Sequence, residues 1–145
     1  MDVKFQTGVQ HIACLQLSHK GMLRWYAACC NTPIGNTPAT SRLPFVGLSR
    51  ACLENAAPSV EQSFGAVWHG IFVAGARGEP KPKPFGLPGF VLWMIGNRLR
   101  ARFTGGFRQN PFFDTATDVP IIQPRVLTPA ERARLREAAI EPRVA

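Results

Sequence analysis

Arg24-Trp25-Tyr26-Ala27-Ala28-Cys29-Cys30-Asn31-Thr32-Pro33-Ile34-Gly35-Asn36-Thr37 is the stretch on which the fold turns. An aromatic, strand-like run meets two adjacent cysteines, and the chain then turns through Asn, Pro and Gly. Such a place suits a metal knuckle or a thiol pair. Upstream, Ile12-Ala13-Cys14-Leu15-Gln16-Leu17 and Met22 to Ala28 read as two strands, with Val3 to Gln6 as a shorter one before them. Ser18-His19-Lys20-Gly21 has the polar, Gly-ended composition of a hairpin loop, so the two longer strands are expected to pair antiparallel. His11 at the strand entrance and His19 in the loop read as solvated residues.

Downstream, Pro33, Gly35, Asn36 and Pro38 suggest repeated turns, followed by a strand at Pro44-Phe45-Val46-Gly47-Leu48. Cys52 and Cys14 lack partners at ligand spacing and read as small buried residues. Ser59 with Gln62 forms a capping-box pattern for a single helical turn before Gly65. Ala66 to Ala74, with His69 inside it, reads as a strand with a satisfied core or edge histidine. A stiff Pro/Lys loop, 76–88, leads to the best helix, Gly89 to Phe103. Leu92, Ile95, Leu99 and Phe103 make one stripe, with Asn97 and Ala101 opposite. Packing of that stripe on a sheet explains it with fewer assumptions than an interfacial membrane helix. Pro88 opens the helix and Gly105-Gly106 closes it. Pro111-Phe112-Phe113-Asp114 reads as an aromatic plug into the core. Thr128-Pro129-Ala130-Glu131 is a specific helix start, giving a peripheral charged helix to about Ala139.

The expected fold class is therefore mainly β with two helices (α+β), one domain over 1–145, with a β-rich half at 1–75 and the helices and PFFD loop at 89–145. A chain of 145 residues, 46% hydrophobic, can bury a core without staples, and 13 Gly with 13 Pro favour turns and short strands. No signal peptide is apparent, and the longest apolar run, Phe90 to Ile95, is far short of the ~20 residues of a membrane span. The protein thus reads as cytoplasmic, where four cysteines are free thiols or metal ligands rather than a disulfide framework.

The formal charge of +8 is concentrated. Arg77, Lys81, Lys83, Arg98, Arg100, Arg102 and Arg108 face only Glu79 in the same segment. The simplest reading is a solvated basic face. The functional alternative is a small basic binding protein whose anionic partner is an acidic protein, nucleic acid or a membrane surface.

For metal chemistry, zinc typically takes two separated ligand pairs, and Cys29 with Cys30 supplies one. Adjacent residues of a strand point in opposite directions unless a turn intervenes, so at most half a zinc site is encoded locally. Cys14, Cys52 or a histidine would have to complete it. Arg24 is placed to activate either cysteine as a thiolate nucleophile. Phosphate loops, His-Glu-x-x-His and Ser nucleophile elbows are absent from the sequence.

The run Gly21 to Thr37, with Phe45-Val46-Gly47-Leu48, Phe64-Gly65, Arg108, Pro111-Phe112-Phe113-Asp114 and Pro124-Arg125-Val126-Leu127, resembles the bacterial uncharacterised DUF6151 family. That family distantly resembles the glutathione-dependent formaldehyde-activating enzymes (the CENP-V/GFA group), which are zinc-dependent carbon–sulfur lyases with an Mss4-like β fold. The resemblance implies a structural zinc half-site in a Cys-x-x-Cys-Gly-Thr turn. Here Cys30 and Thr32 match, Ala27 and Asn31 depart from the pattern, and Cys29 would substitute as a ligand. The group's amino-terminal cysteine segments have no counterpart, and Met1 falls in what corresponds to the middle of its domain. The expectation is a β scaffold that is not a competent lyase by itself. If strands are missing, self-association through an open sheet edge is also expected.

Overall fold

The computed structural model describes residues 5, 7–53, 59–73, 76, 80–106, 110–114 and 116–140. Its main element is a mixed five-stranded sheet built from β1 (Ile12–Gln16), β2 (Leu23–Ala27), β3 (Thr32–Thr37), β4 (Gly47–Leu48) and β7 (Arg125–Val126), in the order β4-β3-β2-β1-β7. A second, two-stranded sheet pairs β5 (Phe113–Asp114) with β6 (Val119–Pro120). Among the described residues the α-helices are α1 (Val60–Phe64), α2 (Leu87–Thr104) and α3 (Pro129–Ile140). The chain is thus mainly β with helices, and helix α1 is the single turn that the Ser59–Gln62 capping box announces.

Period-two alternation makes β1 and β2 one hairpin. Ile12, Cys14 and Gln16 on β1 and Leu23 and Trp25 on β2 are buried, while their neighbours turn to the other face. The register Cys14↔Trp25 places the large indole across from a small thiol. Buried Gln16 closes the hairpin loop by donating its Nε2 to the Gly21 carbonyl at 2.9 Å.

The stretch after the cysteines departs from expectation: residues 32–37 form a strand instead of a series of turns. Proline is tolerated there because the β2–β3 register shifts between Trp25 and Tyr26, and Pro33 sits at that irregularity opposite Tyr26. Gly35 is needed for a different reason. A Cβ at that position would lie 2.7 Å from the Gly47 carbonyl oxygen, so β4 can approach only a glycine. Strand β4 itself is confined to Gly47–Leu48, shorter than the run from Pro44 suggests.

The aromatic plug behaves as expected. Phe112 and Phe113 are buried with Trp25 at ring-centroid distances of 4.8 and 6.5 Å, and Phe5 meets Phe112 edge-on at 5.1 Å. Ile12, Cys14, Leu23, Trp25, Phe112 and Phe113 form the core, with Ile34, Val46 and Ile122 packed against it. Asp118 fastens this unit to the loop after β3. Its carboxylate accepts from the Thr40 hydroxyl at 2.9 Å and the Ser41 amide at 2.7 Å; the Ser41 hydroxyl first, then the Ser41 amide and the Thr40 hydroxyl, hold its pKa below the usual range.

Three further expectations are corrected. The segment from Ala66 is no strand; its described part makes only a bridge between Gly70 and Phe85, with Trp68 edge-on to Trp93 and His69 tilted against Phe90 of α2. His69 lies between Trp68 and Phe90, and its buried Nδ1 has no hydrogen-bond partner among the described residues, so it is not the satisfied histidine expected. Helix α2 has the expected position, with Gly86 before it, Pro88 in its first turn and Gly105 as its left-handed C-cap, but not the expected face. Ala101 is buried and Phe90, Met94 and Asn97 are half-buried, whereas Leu92, Ile95, Leu99 and Phe103 are all exposed. The side containing Asn97 and Ala101 turns inward. The expected strand at 3–6 lies outside the described residues apart from Phe5, and Arg77 and Arg108 of the basic segment lie outside them as well.

Helix α3 starts as its sequence dictates. Thr128 and Glu131 cap each other reciprocally: the Thr128 amide donates to Oε2 at 2.8 Å, and the Glu131 amide donates to the Thr128 hydroxyl at 3.2 Å. Just before it, β7 pairs in parallel with β1, so a segment more than a hundred residues away supplies the fifth strand. Both edges of the sheet are two-residue strands. Among the described residues, no helix is long and apolar enough to cross a membrane.

Candidate functional site

The β2–β3 hairpin carries Ala28, Cys29, Cys30 and Asn31 at its tip. The β1–β2 ladder extends one step past β2, through a 2.8 Å bond from the Ala28 amide to the His11 carbonyl, before the chain reverses. The Cys30 amide turns back to the Ala27 carbonyl at 3.4 Å. Asn31 adopts the left-handed conformation (φ 57°), which asparagine tolerates better than most residues. Because this turn intervenes, the two adjacent cysteines do not point apart as they would in a strand. Their sulfurs lie 3.7 Å apart, and both side chains are exposed.

The pair is electrostatically asymmetric. The Thr32 hydroxyl, 3.0 Å from the Cys30 sulfur, lowers the Cys30 pKa, with the Thr32 amide and the Cys29 thiol adding to the effect. Cys29 is shifted upward, chiefly because it donates its hydrogen bond to Cys30. Of the two thiols, Cys30 is therefore the one that gives up its proton more readily, with Cys29 as its hydrogen-bond donor. Arg24 does not contribute to this stabilisation. It lies instead on the opposite face of the sheet from Trp25, in a cleft of about 750 Å3. Leu15, Arg24, Tyr26, Asn36 and Arg125 line the cleft from the sheet and Glu131, Arg134 and Leu135 from α3, with Asn31 of the thiol turn and Pro33 also on its lining.

The other cysteines differ from this pair and from each other. Cys14 is buried in the core as expected, and burial pushes its thiol up to about 11. Cys52 is exposed, against expectation, because the short 3-10 turn that carries it lies outside the core; its thiol donates to the Pro33 carbonyl at 2.8 Å. His11 and His19 are exposed, as expected for solvated residues. Among the described residues, no group of three or more His, Cys, Asp or Glu converges on a common point.

Thiol reactivity should follow the thiolate population. At neutral pH Cys30 should react with iodoacetamide fastest and Cys14 should be inert in the folded protein. Thr32→Val, which keeps the shape and removes the hydroxyl, should slow Cys30 alkylation several-fold. Peptide mapping at a series of times checks this, and an unchanged rate would remove the role assigned to Thr32.

Of the basic segment, Lys81, Lys83, Arg98, Arg100 and Arg102 are described, and all are exposed. The last three lie on α2, remote in sequence from the thiol turn. Sequence reasoning located the cysteines but had no means of seeing the cleft, since its lining residues come from opposite ends of the chain.

Comparison with curated proteins and with solved structures finds no significant match. Residues 3–120 match the family described as a family of unknown function, DUF6151. That match spans most of the chain and includes the β1–β3 strands, the thiol turn, α2 and the PFFD plug, and the protein accordingly belongs to the DUF6151 family.

Proposed function

We propose that the hairpin tip is a thiol site for a thiophilic divalent ion such as zinc, with Cys29 and Cys30 occupying two corners of its coordination sphere. One observation carries this reading: the 3.7 Å separation of the two sulfurs. Zinc–sulfur bonds of about 2.3 Å at a tetrahedral angle place two ligand sulfurs roughly 3.8 Å apart. The turn therefore presents both donors at the spacing a tetrahedral ion requires, with the Cys30 pKa already lowered by the hydrogen bonds it receives.

The sequence resemblance to the formaldehyde-activating enzymes supports the same turn, since Cys30 and Thr32 fall at matching positions of their zinc knuckle. The remaining ligands come from outside the pair. When bound, the ion would supply a positive charge that holds both thiols deprotonated and ties the hairpin tip to whatever provides the other corners. Cys30, Cys29 and Thr32 hold and polarise the donors, and no carbon–sulfur lyase step is assigned to them.

The test is elemental analysis of the purified protein beside Cys29→Ser/Cys30→Ser. The expected result is about one zinc per chain, lost in the double variant while its circular dichroism is unchanged. Affinity should fall as the pH is lowered, because protons compete for the sulfurs. A folded protein that takes up no zinc when it is supplied, or a double variant that retains it, would refute the proposal.

A further inference from the structure

Independently of the thiol site, helix α2 has an outer face that no contact among the described residues engages. Leu92, Ile95, Leu99 and Phe103 are 71, 52, 52 and 84% exposed. Successive helical residues turn by about 100°, which gathers these four side chains into an arc of about 80°. The inner side of the same helix is already engaged. Phe90 stacks near His69 at 4.9 Å and meets Phe45 at 6.4 Å, and Trp93 meets Trp68 at 6.1 Å. Helix α2 is thus apolar on two sides, one docked on aromatic residues and one open to solvent.

Charge identifies the occupant of the open side. Counted around the helix, Arg98 and Arg102 flank the stripe on one side and Arg100 flanks it on the other, all exposed. Exposed Lys81 and Lys83 precede the helix, and residues 80–106 contain no acid. Nucleic acid would satisfy the arginines and leave the four apolar side chains in water. An anionic bilayer surface satisfies both, because the apolar stripe enters the headgroup–acyl boundary while the arginines reach lipid phosphates on either side. We propose that α2 lies flat on anionic lipid through its Leu92–Ile95–Leu99–Phe103 face. Its 18 residues extend roughly 27 Å along the surface.

The test is vesicle flotation of the full chain with phosphatidylcholine alone and with mixed phosphatidylcholine–phosphatidylserine vesicles. Binding is expected to the mixed vesicles and to weaken with salt. Arg98→Gln/Arg100→Gln/Arg102→Gln should lower the affinity on the order of 100-fold, since each basic residue near an anionic surface contributes roughly five-fold. Leu92→Asp/Phe103→Asp should abolish binding, and because both positions are exposed its circular dichroism should match the parent. Three results would each overturn the proposal: no binding to mixed vesicles; binding of RNA or duplex DNA that requires the arginines but ignores Leu92 and Phe103; or a dimer in sedimentation that dissociates on Leu92→Asp/Phe103→Asp, which would show a second copy covering this face.

Discussion

Replacing Trp25 with alanine should reduce the free energy of unfolding by about 3–5 kcal/mol, the usual cost of truncating a fully buried aromatic side chain. Trp25 is 1% exposed and occupies the centre of the core, against both phenylalanines of the plug. It also donates its indole N–H to the Thr37 hydroxyl at 2.9 Å, and Thr37 is itself fully buried. Alanine would therefore leave a cavity and an unsatisfied hydroxyl in the same place, two penalties that add. Urea unfolding followed by circular dichroism measures the effect. Trp25→Phe is the informative companion, because it keeps most of the volume and loses only the hydrogen bond. It should cost markedly less than Trp25→Ala. Equal losses would mean that the bond to Thr37, and not the filling of the core, is what Trp25 contributes.

Gly86→Ala should be strongly damaging although Gly86 lies outside the core, at about 2–5 kcal/mol. Gly86 adopts φ 74°, a left-handed conformation that costs a residue with a Cβ roughly 1–2 kcal/mol. A Cβ there would also lie 2.8 Å from both the Trp68 carbonyl oxygen and the His69 Cβ, a contact that forces a shift costing typically 1–3 kcal/mol. The paired bonds between Gly70 and Phe85, both 2.9 Å, hold the two segments at this separation, so neither can retreat without breaking the bridge. The consequence is local. The junction seats α2, whereas β1, β2 and β3 take no part in it. Hydrogen exchange should show lost protection in α2 and in residues 68–70 while the sheet keeps its own. Uniform loss across the sheet as well would show that α2 and the sheet unfold as one unit.

The two positions also differ in how visible they are in the sequence. Trp25 sits in an apolar, aromatic run that reads as a strand, and the structure places it in β2 with its side chain buried. Gly86 lies in a loop rich in Gly and Pro, where nothing distinguishes it from Gly78 or Gly89. Its importance arises from His69, a residue 17 positions earlier in the chain. The cysteine turn falls between these cases. The residues were evident, but whether two adjacent thiols converge or diverge depended on the hairpin closing with Asn31 in the left-handed region.

What the sequence determined by itself is the set of features whose energy is written within a few residues. The β1–β2 hairpin, the capping boxes at Ser59 and Thr128, and the Pro88 start and Gly105 stop of α2 are all of this kind, because a cap or a tight loop is satisfied by its near neighbours. What only the tertiary structure decided depends on distant partners. Residues 32–37 become a strand because β2 and β4 offer backbone groups on both sides, which outweighs the turn preferences of Pro33, Gly35 and Asn36. Arg125 and Val126 become a strand because β1 has a free edge. The sequence pointed to the Leu92–Ile95–Leu99–Phe103 stripe as the packed face of α2, and the structure reversed that, because the helix is apolar on two sides. The aromatic surface of Phe45, Trp68 and His69 settled it, leaving the more regular stripe exposed beside its arginines.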